Sequence, residues 1–221
     1  MRLIILFLLI SFMIICGCTP TVLFNSPQPI NKRDLSQFPP RYIGGYEEIE
    51  DSSFFLVEQN LIREQYREDI SVPRIEMDTS QEFTLRDNIV YIPETGEEVP
   101  VIIRNDSVFG TYITYDTVFL ISDGNILRKY KGYYFMNIQN DENEWAVYKL
   151  KFRKDGFTSL CGISEDDEIE WLKEITTVIE EKNDKGKVTK YIIEPEKGEF
   201  KKIIKDGYFK DCTDYRKVRE D

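Results

Sequence analysis

Four cysteines, 40 carboxylates and no histidine define the reactive side chains of this 221-residue chain. Without imidazole, Ser-His-Asp and Cys-His catalysis, His-ligated zinc and haem held through histidine are all closed. Cys16 and Cys18 sit behind an apolar leader, whereas Cys161 and Cys212 stand in the body of the chain. A bridge between the latter two would close a loop of about 50 residues and stabilise by roughly 4 kcal/mol on the chain-entropy account. The alternative is two buried thiols packed as small apolar side chains. Neither thiol has an imidazole to activate it as a nucleophile.

Acidic clusters occur at Asp141-Glu142-Glu144 and Glu165-Asp166-Asp167-Glu168. Neither has the central glycine and terminal glutamate of an EF-hand loop, so they read as a solvated turn and a helix N-terminus, and no metal ligand is nominated. A glycosidase needs two carboxylates about 5–10 Å apart across a cleft, and no spacing singles out such a pair here. Catalytic residues are therefore none, with a carboxylate-dependent, glycosidase-like hydrolase as the alternative reading. G-x-G-x-x-G, Walker A and G-x-S-x-G patterns are absent, so no cofactor is implied. A net charge of −11 is the wrong sign for covering nucleic-acid phosphates, which leaves no nucleic-acid partner. Trp145, Trp171 and several tyrosines are candidates for lining a ligand surface or stacking on sugars, although aromatic side chains also fill small β cores.

The N-terminus carries Arg2 and then an apolar run from Leu3 to Ile15 broken only by Ser11. That is the charged n-region and apolar h-region of a secretory signal. Thirteen residues cover about 20 Å, short of the ~30 Å hydrocarbon core. The following Ile15-Cys16-Gly17-Cys18 resembles the lipobox of bacterial lipoproteins, an aliphatic residue, two small residues and the cysteine, with Cys16 a departure at the middle position. The resemblance implies cleavage after Gly17, acylation of Cys18, and a protein tethered to a membrane of the bacterial cell envelope through its lipid anchor. Thr19-Pro20-Thr21-Val22 lacks the acidic cluster that some such lipoproteins use for surface export, which points to the outer membrane facing the periplasm.

Prolines 20, 27, 29, 39 and 40 make residues 18–40 an extended linker, unless Val22-Leu23-Phe24 docks on the body. The globular body is then 41–221. Aromatic and β-branched runs at Ser52–Val57, Tyr112–Tyr115, Thr117–Ile121 and Ala146–Phe152 predict strands, the last alternating with lysines on one face. Pro100 demotes Val99–Ile103 to an edge or a bulge. Turn residues at Thr95-Gly96, Asp123-Gly124-Asn125, Asp155-Gly156 and Asn183–Gly186 predict hairpins.

Helix is expected only in the C-terminal third. The first starts at Ser164 with the stripe Ile169, Leu172 and Ile175; the second runs over Glu196–Lys205, with Phe200, Ile203 and Ile204 inward and Gly207 as its stop. The fold class is mainly β (α+β): an antiparallel meander, barrel or sandwich with two short C-terminal helices. Tyr42-Ile43-Gly44-Gly45-Tyr46 and Tyr130-Lys131-Gly132-Tyr133-Tyr134 share a Tyr-x-Gly-x-Tyr pattern, either coincidence in a Tyr-rich chain or a mark of two related lobes, 41–128 and 129–221. A glycine near the start of the first strand followed by an aromatic residue is similar to lipocalin-like barrels, a fold-level likeness that licenses no ligand. The expected role is a non-catalytic module binding an envelope protein or a glycan or amphiphile ligand.

Overall fold

The computed structural model describes residues 21–50, 53–80, 82–163 and 166–218. The leader, the Ile15–Cys18 motif and the Ser164 cap lie outside them. The described chain is mainly β and antiparallel, and none of its helices is long and apolar enough to cross a membrane. One open sheet runs through the protein, its two ends left unpaired with each other. The barrel expectation is therefore corrected.

At one end of the sheet stand β1 (Thr21–Phe24), β14 (Thr177–Lys182) and β15 (Val188–Glu194), beside β12 (Glu144–Phe152) and β13 (Phe157–Gly162). The path continues through β16 (Asp211–Lys217), β3 (Gly44–Glu48) and β4 (Phe54–Val57) to the long β5 (Leu61–Pro73) and β9 (Ser107–Leu120), then β8 (Glu97–Arg104), β7 (Ile89–Ile92) and β6 (Thr84–Arg86). β10 (Asn125–Tyr130) and β11 (Tyr133–Asp141) extend from β12, and the short β2 (Asp34–Leu35) pairs with β10. Among the described residues three α-helices pack on this frame: α1 (Arg74–Thr79), α2 (Asp166–Lys173) and α3 (Lys197–Asp206).

The linker expected over 18–40 is corrected for its described part. β1 lies parallel to β15, Thr21 opposite Lys190 through Phe24 opposite Ile193, and Phe24 also opposes Trp145 of β12. Leu23, Phe24, Gln28 and Phe38 are all buried. Burying two phenylalanines and a leucine yields several kcal/mol, enough to hold a segment whose prolines forbid only helix and central-strand positions.

The core falls into three clusters. One, under α2 and α3, collects Phe24, Phe135, Trp145, Phe200 and Phe209. The central one joins Phe55, Ile62 and Phe119 to Leu127, Tyr134, Leu150 and Tyr215. It crosses the divide proposed at 128/129, which itself falls inside β10, so the two lobes are not separate bodies. The shared Tyr-x-Gly-x-Tyr pattern is likewise not a structural repeat. Gly44 opens a strand, whereas Lys131 and Gly132 are the two left-handed residues (φ 50° and 85°) of the β10–β11 hairpin. β11 and β12 serve two cores at once: Phe135, Trp145 and Val147 face the helices, and Tyr134, Met136 and Leu150 face the central cluster. The strand expected at Ala146–Phe152 therefore changes its buried face along its length, Trp145 and Val147 being buried on the helix side and Leu150 and Phe152 on the central side, while Tyr148 and Lys151 are exposed.

The third cluster, Met77, Val90, Val99, Val101 and Val108, lies in an arm formed by the outer parts of β5 and β9 with α1 and β6–β8. β9 is one strand bulged at Val118, not two strands broken at Asp116, since Ile62 pairs with Phe119 and Arg63 already with Thr117. Pro100 marks a handover: β8 pairs with β7 through Pro100 and with β9 from Val101 onward, so the missing N–H falls where the ladder changes sides. α1 was not foreseen. α3 ends at Gly207 in the left-handed region (φ 81°), and Glu196 and Glu199 form a reciprocal capping box at its start.

Candidate functional site

A recess of about 360 Å³ opens where the turn before β3, the β12–β13 hairpin and the end of β16 meet. It runs into a wider one of about 760 Å³ through shared walls at Lys154, Gly156 and Lys217. Arg41, Arg153, Lys154 and Lys217 line this groove, over a floor of Tyr42, Tyr46, Phe152 and Thr158. Four cations around one concavity are notable in a chain of net charge −11.

The local backbone explains their positions. Tyr46 and Lys217 are register partners in β3 and β16, which sets the last strand of the described chain directly beside β3. The Lys217 N–H donates to the Gly156 carbonyl at 2.8 Å, tying the end of β16 to the β12–β13 turn in which Gly156 adopts φ 89°. The Lys217 ammonium donates to the carbonyls of Arg41 (3.1 Å) and Ile43 (2.9 Å) and lies over the Tyr46 ring. Its stem passes so close to Gly44 that a Cβ there would meet Cε at 3.2 Å. Arg41 stacks over Tyr42, whose ring lies parallel to Phe152 at 4.2 Å between centroids.

Protonation states follow from these contacts. Burial, then the neighbouring Tyr42, pushes the Tyr46 phenol up to about 12, and its hydroxyl donates to the Tyr42 carbonyl at 2.8 Å. Tyr46 is therefore a fixed donor and not a base at neutral pH. Asp155 is the one carboxylate among the described lining residues. Against a desolvation that raises it, the Phe157 N–H and Arg153 hold its carboxyl below the usual range, and Arg153 bonds it at 2.7 Å. With that pair internally neutralised, Arg41, Lys154 and Lys217 face the groove as net positive charge. The arrangement can hold an anion above an aromatic floor.

The residues nominated from sequence are not brought together here. Trp145 is only 8% exposed and packs in the helix-side core, which corrects its assignment as a surface aromatic. Trp171 is 57% exposed, on the outer side of α2 opposite the buried Ile169 and Leu172. Cys161 and Cys212 are register partners on β13 and β16 and are bonded, with Cα atoms 4.0 Å apart. Glu144 of the first acidic cluster pairs with Lys190 at 2.7 Å, and Glu168 of the second with Lys210 at 3.4 Å. Among the described residues no group of acids and thiols is arranged to hold a metal ion.

Sequence reasoning passed over the groove's cations. The run Arg153-Lys154-Asp155-Gly156 was a visible basic turn, but Arg41 and Lys217 meet it only through the pairing of β3 with β16. No family model, curated protein or solved structure matches the chain.

Proposed function

We propose that this chain is a lipoprotein of the bacterial cell envelope, acylated at Cys18, and that its β body is a non-catalytic module binding an anionic glycan or amphiphile in the Arg41–Lys217 groove. The observation that carries the binding role is the concentration of cations over an aromatic floor in a strongly acidic chain. Cation and floor suit the two halves of such a ligand, a carboxylate or phosphate and a sugar or acyl face. The lipobox resemblance supports the anchor.

Cys18 stands three residues before the start of β1, at most about 10 Å of extended chain. An acylated Cys18 would therefore hold the β1 end of the sheet against the membrane, rather than letting the body hang on a long tether. Residence on the periplasmic side of the outer membrane is part of the same proposal.

Titration calorimetry on the full chain in neutral detergent tests the ligand class. The probes are a uronic-acid oligosaccharide and short-chain phosphatidylglycerol, with a neutral oligosaccharide and short-chain phosphatidylcholine as counterparts. Saturable binding of a charged probe that weakens with salt and falls at least tenfold in Arg41→Ala/Lys154→Ala is expected. Equal binding of the neutral counterparts, or no effect of the double substitution, overturns the assignment. Fatty-acid labelling that persists in Cys18→Ala rejects the anchor separately.

A further inference from the structure

The arm has one covered and one bare face. Val90, Val99, Val101 and Val108 point to the side that α1 closes with Met77. Residues directly opposite in a ladder, and residues two apart in a strand, share a face. On the other side, therefore, Ile102 stands with its partner Phe109, followed along β9 by Ile113 and Tyr115, and across β7 by Ile89 and Tyr91. All six are between 36% and 55% exposed. Together they present on the order of 500 Å² of side chain, at the upper end of what a lone soluble protein leaves bare.

The charges on this face differ from those of the rest of the arm. Arg67 opposes Ile113, Arg86 opposes Ile89, and Arg104 shares the face two residues beyond Ile102. Asp69, opposite Thr111, and Glu98, opposite Tyr91, are its acids. Arg63 is already engaged by Glu58 and by the Tyr115 ring. Glu64, Glu68 and Asp116 fall on the opposite face, so the segment's excess acid is kept away from the apolar stripe.

We propose that this face pairs with the same face of a second copy of the chain, closing two arms into a sandwich. An apolar stripe is best covered by another apolar stripe, and the same surface used twice satisfies two-fold symmetry, the commonest form of association. Arg67, Arg86 and Arg104 of one copy then meet Asp69 and Glu98 of the other, a nearly balanced rim. The stripe and its rim approach the ~800 Å² per partner that a standard interface requires, with the arginine and aromatic content typical of one.

Cysteine crosslinking of the full chain in native membranes tests this. Phe109→Cys and Ile113→Cys, made separately, are treated with a short bis-maleimide; Ile179→Cys, exposed on the distant β14, is the control. A band at twice the chain mass with either arm cysteine and none with the control is expected. Adding Ile102→Glu, an exposed position that leaves the fold intact by circular dichroism, should reduce that band at least fivefold. Absence of the band from both arm variants, equal crosslinking of the control, persistence with Ile102→Glu, or an adduct of another mass overturns the proposal.

Discussion

Asn137 binds the main chain of Gln28 in both directions: its Oδ1 accepts the Gln28 N–H at 2.5 Å and its Nδ2 donates to the Gln28 carbonyl at 2.9 Å. Both residues are completely buried. An amide side chain on β11 thus replaces the ladder that a proline-flanked segment cannot form for itself. The same Nδ2 reaches the carbonyls of Ile126 and Phe135.

Asn137→Ala should therefore leave several buried main-chain groups unpaired, at a cost of roughly 2–4 kcal/mol. For a chain of this size that is a fall in melting temperature of about 5–15 °C, read by circular dichroism. A change under one degree would mean that water or a shifted backbone satisfies Gln28 equally well.

The N-terminal stretch as a whole should be needed for folding. β1 is the sole strand between β15 and β12, so its removal strips the β14–β15 hairpin from the sheet and opens the core under α3. Phe24→Ala should cost about 3–5 kcal/mol, whereas Arg33→Ala, on the exposed side of the same stretch, should stay within about 0.5 kcal/mol. Equal urea midpoints for the two variants would return 21–40 to the status of a spacer.

That stretch shows where sequence patterns stop being informative. Pro27, Pro29, Pro39 and Pro40 excluded α-helix but left open whether the stretch is a spacer or docks on the body through Val22-Leu23-Phe24. What decides the matter is a partner 109 residues away in sequence. Local signals fared better where they were self-contained: Phe200, Ile203, Ile204 and Gly207 announced α3 at nearly its true bounds. Hairpins closed by glycine at Gly96, Gly156 and Gly186 were also legible. Those closed by Asp87-Asn88 and Asn105-Asp106 were not, although Asp and Asn are the side chains that best tolerate the left-handed conformation these four adopt. The candidate groove was the least legible feature, since β3 and β16 are separated by most of the chain and no spacing rule connects Arg41 to Lys217.

The Cys161–Cys212 bond closes a segment of 51 residues that contains α2, β14, β15 and α3. In unreduced, denatured protein neither of these cysteines should take up an alkylating reagent, and reduction should raise the mass by ~2 Da. On the chain-entropy account reduction costs about 4 kcal/mol, so the melting temperature should drop by on the order of 10 °C. Two alkylated cysteines before reduction would show that the bridge is not formed in that preparation.

Stability in alkali should carry the signature of Tyr46. Its phenol is nearly inaccessible and is pushed up to about 12, from an ordinary value near 10, first by burial and then by Tyr42. Below pH 10 both folded and unfolded chains hold this proton, and the full contribution of the buried phenol is present. Between pH 10 and 12 the unfolded chain gives the proton up while the folded chain keeps it, so the folded state is progressively disfavoured as pH rises. The loss amounts to about 2–3 kcal/mol when complete. Other tyrosines titrate in the same range, Tyr215 being held up by its own burial, so the informative quantity is the difference from Tyr46→Phe. At pH 8 the variant should be about 1 kcal/mol less stable, having lost the bond to the Tyr42 carbonyl. As pH passes from 10 to 12 that deficit should shrink and then reverse, because phenylalanine has no proton to surrender. Urea midpoints taken in parallel at pH 8, 10 and 11.5 measure it, and a deficit independent of pH would show that Tyr46 ionises in the fold as readily as it does in water.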